Sequence, residues 1–249
     1  MSTDRELFIA GSADDLAREA AARVVDLANR AIQARGRFSI ALSGGGTPRR
    51  LYQLLTQSPY RQAMDWTRVH LFFADERFVP HTHPDSTVLL VRETLLQGIT
   101  AVPAENVHVM PTEPGTPEQC ATLYEQELKT FFGAPDPVFD LILLGMGPDG
   151  HTASLFPGHP DAPGYVVAVH DSPKPPPIRL TLTLRAIRAA REILFLVTGA
   201  DKAATLAQVF NSDTMNDQAL PAARVSAYDG HSCWLVDSEA GRAIQAVSA

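Results

Sequence analysis

Cysteine is scarce in this chain of 249 residues, which contains only two, Cys120 and Cys233. Cys120 lies in a helical pattern and Cys233 beside Trp234 in a strand-like run, far away in the sequence. Disulfide-stapled proteins carry several cysteines and are usually secreted. The scarcity therefore excludes a disulfide framework and predicts two free thiols in a reducing compartment.

Long apolar runs are also missing, since no segment approaches the length that a membrane-spanning helix requires. The residues from Ser2 to Glu6 do not begin the basic and then apolar pattern of a secretory signal. We therefore expect a cytoplasmic protein that has no membrane partner.

Positive charge is in deficit, because 21 Lys and Arg face 28 Asp and Glu and the formal net charge is −7. This balance excludes broad binding to nucleic acid or to anionic membranes. An anionic small molecule stays a candidate ligand, because a few cations placed in one pocket are enough to bind it.

Short apolar segments alternate with helical patterns along the whole sequence. This alternation predicts an α/β fold with a mostly parallel open sheet and helices on both faces, Rossmann-like in plan. The proline-dense segment Ser172–Pro177 is too short for a domain linker and predicts a stiff surface loop, so we expect one domain over residues 1–249. The predicted strands are Leu7–Ile9, Phe38–Leu42, Val69–Ala74, Val107–Val109, Leu141–Leu144, Tyr165–Val169, Arg179–Leu182, Ile193–Thr198 and Cys233–Val236. The predicted helices are Ala13–Arg35, one from Pro48, Ser86–Gln97, one from a capping box at Thr116 to about Phe132, Asp201–Phe210 and a short one near the C-terminus.

A first glycine loop, Ser43-Gly44-Gly45-Gly46-Thr47-Pro48, follows a predicted strand and opens a helix with Thr47 as its expected N-cap and Pro48 as its first residue. Three glycines allow a close approach of the backbone to a ligand, and a helix start favours an anion, so the loop predicts a phosphate site. It is not a P-loop, since no Gly-Lys-Ser/Thr follows, and it is not a dinucleotide fingerprint, since Arg49 replaces the third glycine. A tight turn without a ligand is the alternative.

The charged segment Asp75-Glu76-Arg77 follows the strand Val69–Ala74 and predicts charged groups at the carboxyl edge of the same sheet. Arginine suits a phosphate, and a neighbouring carboxylate can hold it in place. A solvated strand end whose charges pair with each other is the alternative. His81, His83 and Asp85 follow, but without a further convincing ligand they favour a surface loop, and we predict no metal site.

A second glycine loop, Gly145-Met146-Gly147-Pro148-Asp149-Gly150-His151, follows the apolar strand Leu141–Leu144. We predict that His151 is a general base and that Asp149 orients it or stabilises its charged form. A capping aspartate beside a structural histidine is the alternative, and Asp75 or Glu76 remain candidates to share proton transfer.

The same loop also satisfies the dinucleotide fingerprint, with Asp171 as a possible ribose ligand. That function is disfavoured because Pro157 and Gly158 leave no room for the long helix it needs. Neither a G-x-S-x-G elbow nor a cysteine with a local partner is present, so water is the simpler nucleophile and no cofactor is predicted.

Five sequence blocks occur in an order and spacing that resemble the family of glucosamine-6-phosphate isomerases and 6-phosphogluconolactonases, and the resemblance covers essentially the whole chain. The blocks are Ala41–Pro48, Asp75–Pro80, Gly145–Gly158, Arg179–Thr183 and Gly199–Ala203. The resemblance implies a fold of the NagB/RpiA/CoA-transferase type. It also implies hydrolysis of 6-phospho-D-glucono-1,5-lactone in the pentose phosphate pathway, without metal or organic cofactor.

The resemblance further implies roles for individual residues. His151 would activate water, whereas Arg77, Lys202 and the Ser43–Thr47 loop would bind the sugar phosphate. Asp75 and Arg179 fall in matching blocks and are predicted to bind substrate. Two positions depart from the family pattern, Gly46 in place of the frequent serine and Thr87 in place of the usual asparagine. The expected partner is a small sugar-phosphate lactone, and the expected state is a monomer or weak homo-oligomer.

Three other functions remain open. An amino-sugar phosphate isomerase or deaminase of the same family usually carries a glutamate where this chain has Phe156. A ribose-5-phosphate isomerase shows weaker motif agreement. A catalytically silent sugar-phosphate sensor normally needs an output domain, and the sequence contains no basic helix-turn-helix.

Overall fold

The protein is built around two β-sheets, described by a computed structural model for residues 5–133, 136–212, 219–228 and 230–245. In chain order, the strands of these residues are β1 (Arg5–Ala10), β2 (Phe38–Leu42), β3 (Val69–Phe73), β4 (Asp75–Arg77), β5 (Leu141–Leu144), β6 (Val166–Val169), β7 (Arg179–Leu182), β8 (Glu192–Val197) and β9 (His231–Asp237). The helices are α1 (Ala13–Arg35), α2 (Gly46–Leu55), α3 (Thr87–Val91), α4 (Pro117–Phe132), α5 (Leu184–Arg188), α6 (Ala203–Asn211), α7 (Pro221–Arg224) and α8 (Ser238–Gln245).

The larger sheet has the strand order β1-β9-β8-β5-β2-β3, and all of its strand pairs are parallel. Every residue of β2 and β5 is buried, so both faces of its centre are covered. This arrangement confirms the prediction of a mostly parallel open sheet.

The order of the strands fixes where a ligand can bind. β2 and β5 are neighbours in the larger sheet. The strand that follows β2 along the chain, β3, lies on one side of this pair, whereas the next strand of the sheet after β5, β8, lies on the other side. The connections after β2 and β5 therefore diverge, and a crevice opens at the carboxyl ends of these two strands. Both glycine loops leave the sheet at this crevice.

Two helices have the predicted ends, and α4 also has the predicted cap. The Ser12 side chain accepts a hydrogen bond from the Asp15 amide at the start of α1, and Gly36 ends that helix at φ +76°. Thr116 and Gln119 form a reciprocal capping box at the start of α4. The helix expected over Ser86–Gln97 forms as α3 followed by a π-helical turn.

The smaller sheet corrects the expectation that all strands share one sheet. β4, β7 and β6 form a separate sheet in which both strand pairs are antiparallel. The segment Asp75-Glu76-Arg77 thus leaves the carboxyl edge of β3 and forms a strand of its own, because its backbone pairs with Arg179–Thr181. A strand of three charged residues has no apolar alternation by which sequence analysis would recognise it.

The predicted strand Val107–Val109 is wrong, because Val107 makes only one isolated bridge, to Leu71, beside β3. Cys120 and Cys233 are both free and buried. Within the described residues, every helix is too short or too polar to span a bilayer.

Candidate active site

A cavity of about 510 Å³ opens at the carboxyl edge of the larger sheet, where β8, β5, β2 and β3 end side by side. Adjacent strands are ~4.8 Å apart, so groups on these four strand ends span roughly 14 Å. This span allows a phosphorylated sugar to contact the protein at both of its ends. The predicted site residues that line the cavity are Ser43, Gly44, Gly45, Gly46, Thr47, Asp75, Arg77, His151, Arg179 and Lys202.

The first glycine loop starts α2 in a different way from the prediction. Gly45, at φ +109°, is the N-cap and α2 begins at Gly46, so Pro48 is the third helical residue. The prediction that Thr47 caps the helix is wrong, because the loop needs the φ of glycine at the cap. The Thr47 hydroxyl instead shares a 2.7 Å hydrogen bond with the Thr198 hydroxyl. The first-turn amides of α2 have no acceptor within the helix, an arrangement that favours an anion.

Ser43 connects the two glycine loops. Its amide donates to the Tyr52 hydroxyl at 3.2 Å, and that hydroxyl donates to the Ser43 carbonyl at 2.8 Å. Burial raises the pKa of Tyr52, so its hydroxyl remains a donor. The Ser43 hydroxyl donates to the Leu143 carbonyl at 2.8 Å and thereby ties the end of β2 to the end of β5.

Arg77 reaches the cavity beside Gly44. A Cβ added at Gly44 would lie 2.8 Å from Arg77 Nη1 and 2.9 Å from Thr87 Oγ1, so only glycine leaves room for the guanidinium. Arg77 Nη1 donates to Thr87 Oγ1 at 3.3 Å, so this threonine helps to hold the arginine. Arg77 Nε is buried and has no acceptor among the described residues. A buried donor without a partner beside a cavity favours an anionic ligand.

Glu76 turns away from the cavity and is fully buried. Burial raises the pKa of Glu76, although its hydrogen bonds act in the opposite direction. Its carboxylate accepts hydrogen bonds of 2.7–2.9 Å from the amides of Arg77, Thr87 and Val88 and from the Ser86 hydroxyl. These bonds fasten α3 to β4, a structural role. Asp75, by contrast, lines the cavity and accepts a 2.8 Å hydrogen bond from the Ser154 hydroxyl.

His151 and Asp149 form a hydrogen-bonded pair in the second glycine loop, with 2.5 Å between His151 Nδ1 and Asp149 Oδ1. Burial raises the pKa of Asp149, but the hydrogen bond and charge of His151 and the charge of Lys174 outweigh it, so that the pKa is lowered. The ionised carboxylate therefore accepts the Nδ1 proton. The His151 Nε2 lone pair is left to act as a base.

Burial lowers the pKa of His151 and Lys174 acts in the same direction, whereas Asp149 and Asp75 raise it. The net result is a pKa below the ordinary imidazole value. His151 is therefore neutral at neutral pH, the state that a general base needs.

Glycine at position 147 makes room for this pair. A Cβ there would lie 2.1 Å from His151 Nδ1 and Cε1 and 2.5 Å from Asp149 Oδ1. The Gly147 amide also donates to the His151 carbonyl at 2.9 Å, which closes the turn. On another side, the Phe156 ring packs against the imidazole, with 4.9 Å between ring centroids.

Lys202 and Arg179 enter the cavity from different elements. Lys202 ends a 3₁₀ turn, Ala200–Lys202, that follows β8, and its ammonium lies 2.5 Å from Asp201 Oδ2. Arg179 opens β7 opposite Arg77 and donates to backbone carbonyls of the proline-rich loop.

Sequence reasoning missed three polar residues that also line the cavity, Arg50, Lys174 and Thr198. Lys174 carried a signal, because it is a lone cation inside a proline-dense segment that precedes a family block. Such a segment is stiff enough to place a side chain.

The segment considered for metal binding has other contacts. His81 Nε2 lies 2.9 Å from the Met110 carbonyl oxygen, and His83 Nδ1 lies 3.6 Å from Asp85 Oδ2. No group of three or more His, Cys, Asp or Glu side chains suited to a metal ion occurs among the residues that the structure describes.

Comparison with known proteins gives a consistent picture. The family model described as Glucosamine-6-phosphate isomerases/6-phosphogluconolactonase matches residues 11–234. A 6-phosphogluconolactonase of Synechocystis sp. is 43% identical over 217 residues, which cover 85% of this chain and 87% of that protein.

Solved structures have the same fold. The 6-phosphogluconolactonase from Trypanosoma cruzi is similar with a TM-score of 0.85 and 28% identity, and the match covers 97% of each chain. A monomeric glucosamine-6-phosphate deaminase has a TM-score of 0.80 at 20% identity, over 96% of this chain and 99% of its own. That second likeness shows the fold alone.

Proposed function

The chain belongs to the family of glucosamine-6-phosphate isomerases and 6-phosphogluconolactonases, and we propose that it hydrolyses 6-phospho-D-glucono-1,5-lactone to 6-phospho-D-gluconate with water activated by His151. The observation that carries this proposal is His151, which accepts support from Asp149 through a 2.5 Å hydrogen bond and lines one cavity with the glycine loop, Arg77 and Lys202. This is the lactonase step of the oxidative pentose phosphate pathway.

A lactone is an ester that is already activated toward nucleophilic attack, so the reaction needs only one base and one group that stabilises the oxyanion. His151 Nε2 takes a proton from water while the water oxygen bonds to the lactone carbonyl carbon. The tetrahedral intermediate then breaks its bond to the ring oxygen, which receives the proton from His151. The ionised Asp149 stabilises the imidazolium between the two transfers.

Binding of the phosphate group orients the lactone substrate in the cavity. The first-turn amides of α2, the unpartnered Nε of Arg77 and the Lys202 ammonium offer donors and positive charge to the phosphate of the substrate. The phosphate is not part of the reacting ester, so its binding energy serves to place the carbonyl carbon near His151.

Position 156 argues against the deaminase of the same family. Amino-sugar phosphate isomerisation needs proton transfer for ring opening and between carbon atoms. Phe156, 2% exposed and packed on the imidazole, has no group that exchanges protons. We also propose that the protein acts in the cytoplasm, as a monomer or weak homo-oligomer and without nucleic-acid or membrane partners.

The activity is tested with freshly prepared lactone and 6-phosphogluconate dehydrogenase, by following reduction of the nicotinamide cofactor with and without the protein. After subtraction of spontaneous hydrolysis, we expect a rate proportional to protein concentration. A rate no higher than that of the buffer would refute the lactonase. In a parallel assay with glucosamine 6-phosphate we expect no ammonia, and its release would favour the deaminase.

Removing either of the two cationic side chains that bind the phosphate should affect substrate binding more than the chemical step. We expect Arg77→Met and Lys202→Met to raise KM by about 10- to 100-fold, the loss of one charge-assisted hydrogen bond, with a smaller change in kcat. Steady-state kinetics measure both parameters. Arg30→Met, at an exposed pair with Asp26 on α1, is the control and should leave them unchanged. Normal KM with a lost kcat would assign the cation to the reacting end of the substrate instead.

The activity should depend on pH through His151. Above the pKa of His151 the imidazole is neutral and accepts a proton from water, whereas below it the base is lost. Because burial lowers this pKa, kcat/KM should hold its plateau to a more acidic pH than an ordinary imidazole, about 6.5, would allow. The profile is measured from about pH 5 to 8, with spontaneous hydrolysis subtracted at each point. An acid limb centred above the ordinary value would contradict the assignment.

A further inference from the structure

The proline-rich loop that carries Lys174 is held from inside the protein. Arg179, only 4% exposed, donates from Nε to the Pro176 carbonyl at 3.2 Å and from Nη2 to the Lys174 carbonyl at 3.2 Å and the Pro175 carbonyl at 3.5 Å. One buried guanidinium thus contacts three consecutive carbonyls. The fixed fork of arginine makes this possible, and a lysine cannot reproduce it.

Ser172 closes the same loop from its other end. Its amide donates to the Pro177 carbonyl at 3.1 Å, and its hydroxyl donates to the Lys174 carbonyl at 2.9 Å. The backbone of Lys174 is therefore bonded on both sides. Its side chain leaves the loop in one direction, into the cavity.

The Lys174 ammonium lies 3.8 Å from Asp149 Oδ1, the oxygen that accepts the His151 Nδ1 proton. Lys174 is thus next to the residues that act on the lactone ester. Asp149 lies between this cation and the imidazole, so one carboxylate interacts with both.

We propose that Arg179 is a positioning residue that holds the proline-rich loop, and that Lys174 is thereby fixed at the reacting end of the cavity, where its charge acts on the Asp149–His151 pair and on the carbonyl oxygen of the lactone. This inference rests on the proposed lactonase function. It changes the expected role of Arg179 from substrate ligand to support of another residue.

Two consequences follow from the charge of Lys174. A nearby cation favours the neutral form of His151, and so keeps the base available. The same cation favours the negative charge that develops on the carbonyl oxygen when water attacks, which is the oxyanion stabiliser that the reaction needs. Asp149 from the same loop and Asp75 from β4 favour protonation of His151, whereas burial and Lys174 disfavour it. Arg77, Arg179 and Lys202 line the same cavity as His151.

The test combines kinetics with an NMR titration of the His151 ring protons in the full-length protein without substrate. His151→Gln identifies the signal by its disappearance. In Lys174→Met we expect the His151 titration and the acid limb of kcat/KM to move together to higher pH, and kcat to fall by about 10- to 100-fold with little change in KM. Lys174→Arg, which keeps the charge, should restore the titration.

Arg179→Met should also shift the His151 titration to higher pH and lower kcat, each by less than Lys174→Met does. Lys174 is still present in this variant, but its loop is no longer held. Arg179→Lys should restore the His151 titration and kcat only in part, because lysine lacks the fork of donors that contacts the loop. Arg30→Met, which also removes one positive charge, is the remote control, and thermal unfolding checks that each variant folds.

The outcomes separate the two proposals. An unchanged titration and kcat in Lys174→Met would overturn the inference about Lys174. Arg179→Met with a raised KM but unchanged kcat and titration would make Arg179 a substrate ligand. If the wild type has no lactonase activity but the His151 titration still moves to higher pH in Lys174→Met, the proposed function is refuted and the placement of Lys174 is supported.

Discussion

Replacing His151 by alanine is expected to lower kcat by about 10²- to 10⁴-fold, the usual contribution of a positioned general acid–base group. The reason is the geometry of the pair. Asp149 accepts the Nδ1 proton at 2.5 Å, so Nε2 is the nitrogen that can take a proton from water and return it to the ring oxygen. Without it, water must lose its proton to bulk solvent. The measurement is the coupled assay at neutral pH, where spontaneous hydrolysis is subtracted.

Two controls keep this result interpretable. Affinity for the product 6-phosphogluconate should stay within a few-fold of the wild type, because Arg77, Lys202 and the glycine loop are untouched. His151→Gln, which retains much of the side-chain volume against Phe156, should lose as much activity as the alanine variant. A correctly folded His151→Ala protein with unchanged kcat would remove His151 from the mechanism, and Asp75 would become the next candidate base.

The centre of the fold and the two glycine loops are predictable from the sequence, because an apolar run that ends in glycines has few structural alternatives. Phe38–Leu42 and Leu141–Leu144 have the predicted bounds in the structure. Since carboxyl ends of neighbouring parallel strands meet at one edge, the loops that follow them are expected in one place. The cavity indeed brings Gly44 and His151 together.

The smaller sheet and the role of Glu76 are not predictable in this way. In the sequence Glu76 is one of three charges after a strand, a pattern typical of a solvated strand end. In the structure it is buried, because the start of α3 supplies amides that pay for the lost hydration of the carboxylate. Burial of a charge depends on partners that are distant along the chain, and local patterns contain no information on them.

Lys174 shows a related limit at the active site, because its proline-dense segment predicts a stiff loop but not where that loop places the ammonium. Its segment has the composition of a surface loop, and its side chain is 43% exposed. The structure shows that hydrogen bonds from Arg179 and Ser172 fix the loop and that the ammonium lies 3.8 Å from Asp149 Oδ1.

Introducing a single methyl group at position 147 is expected to disable the enzyme without unfolding it. In Gly147→Ala the new Cβ would lie 2.1 Å from His151 Nδ1 and 2.5 Å from Asp149 Oδ1, so the imidazole and carboxylate must move apart. A displacement of about 1 Å at a reacting group can cost roughly 100-fold in rate, and we expect kcat to fall by at least that factor. Position 147 does not have a positive φ, so alanine adds no backbone strain there.

The matched control for Gly147→Ala lies in the same loop, where a Cβ added at Gly145 would have no heavy atom within 4 Å apart from those of its two chain neighbours. We expect Gly145→Ala to keep kcat within about threefold, since it leaves the His151 geometry intact. The His151 ring-proton signals should shift in Gly147→Ala and stay in place in Gly145→Ala, while both proteins show cooperative thermal unfolding. Full activity in Gly147→Ala would mean that turnover does not depend on the hydrogen bond between His151 and Asp149, and the proposed proton transfer would then need a different base.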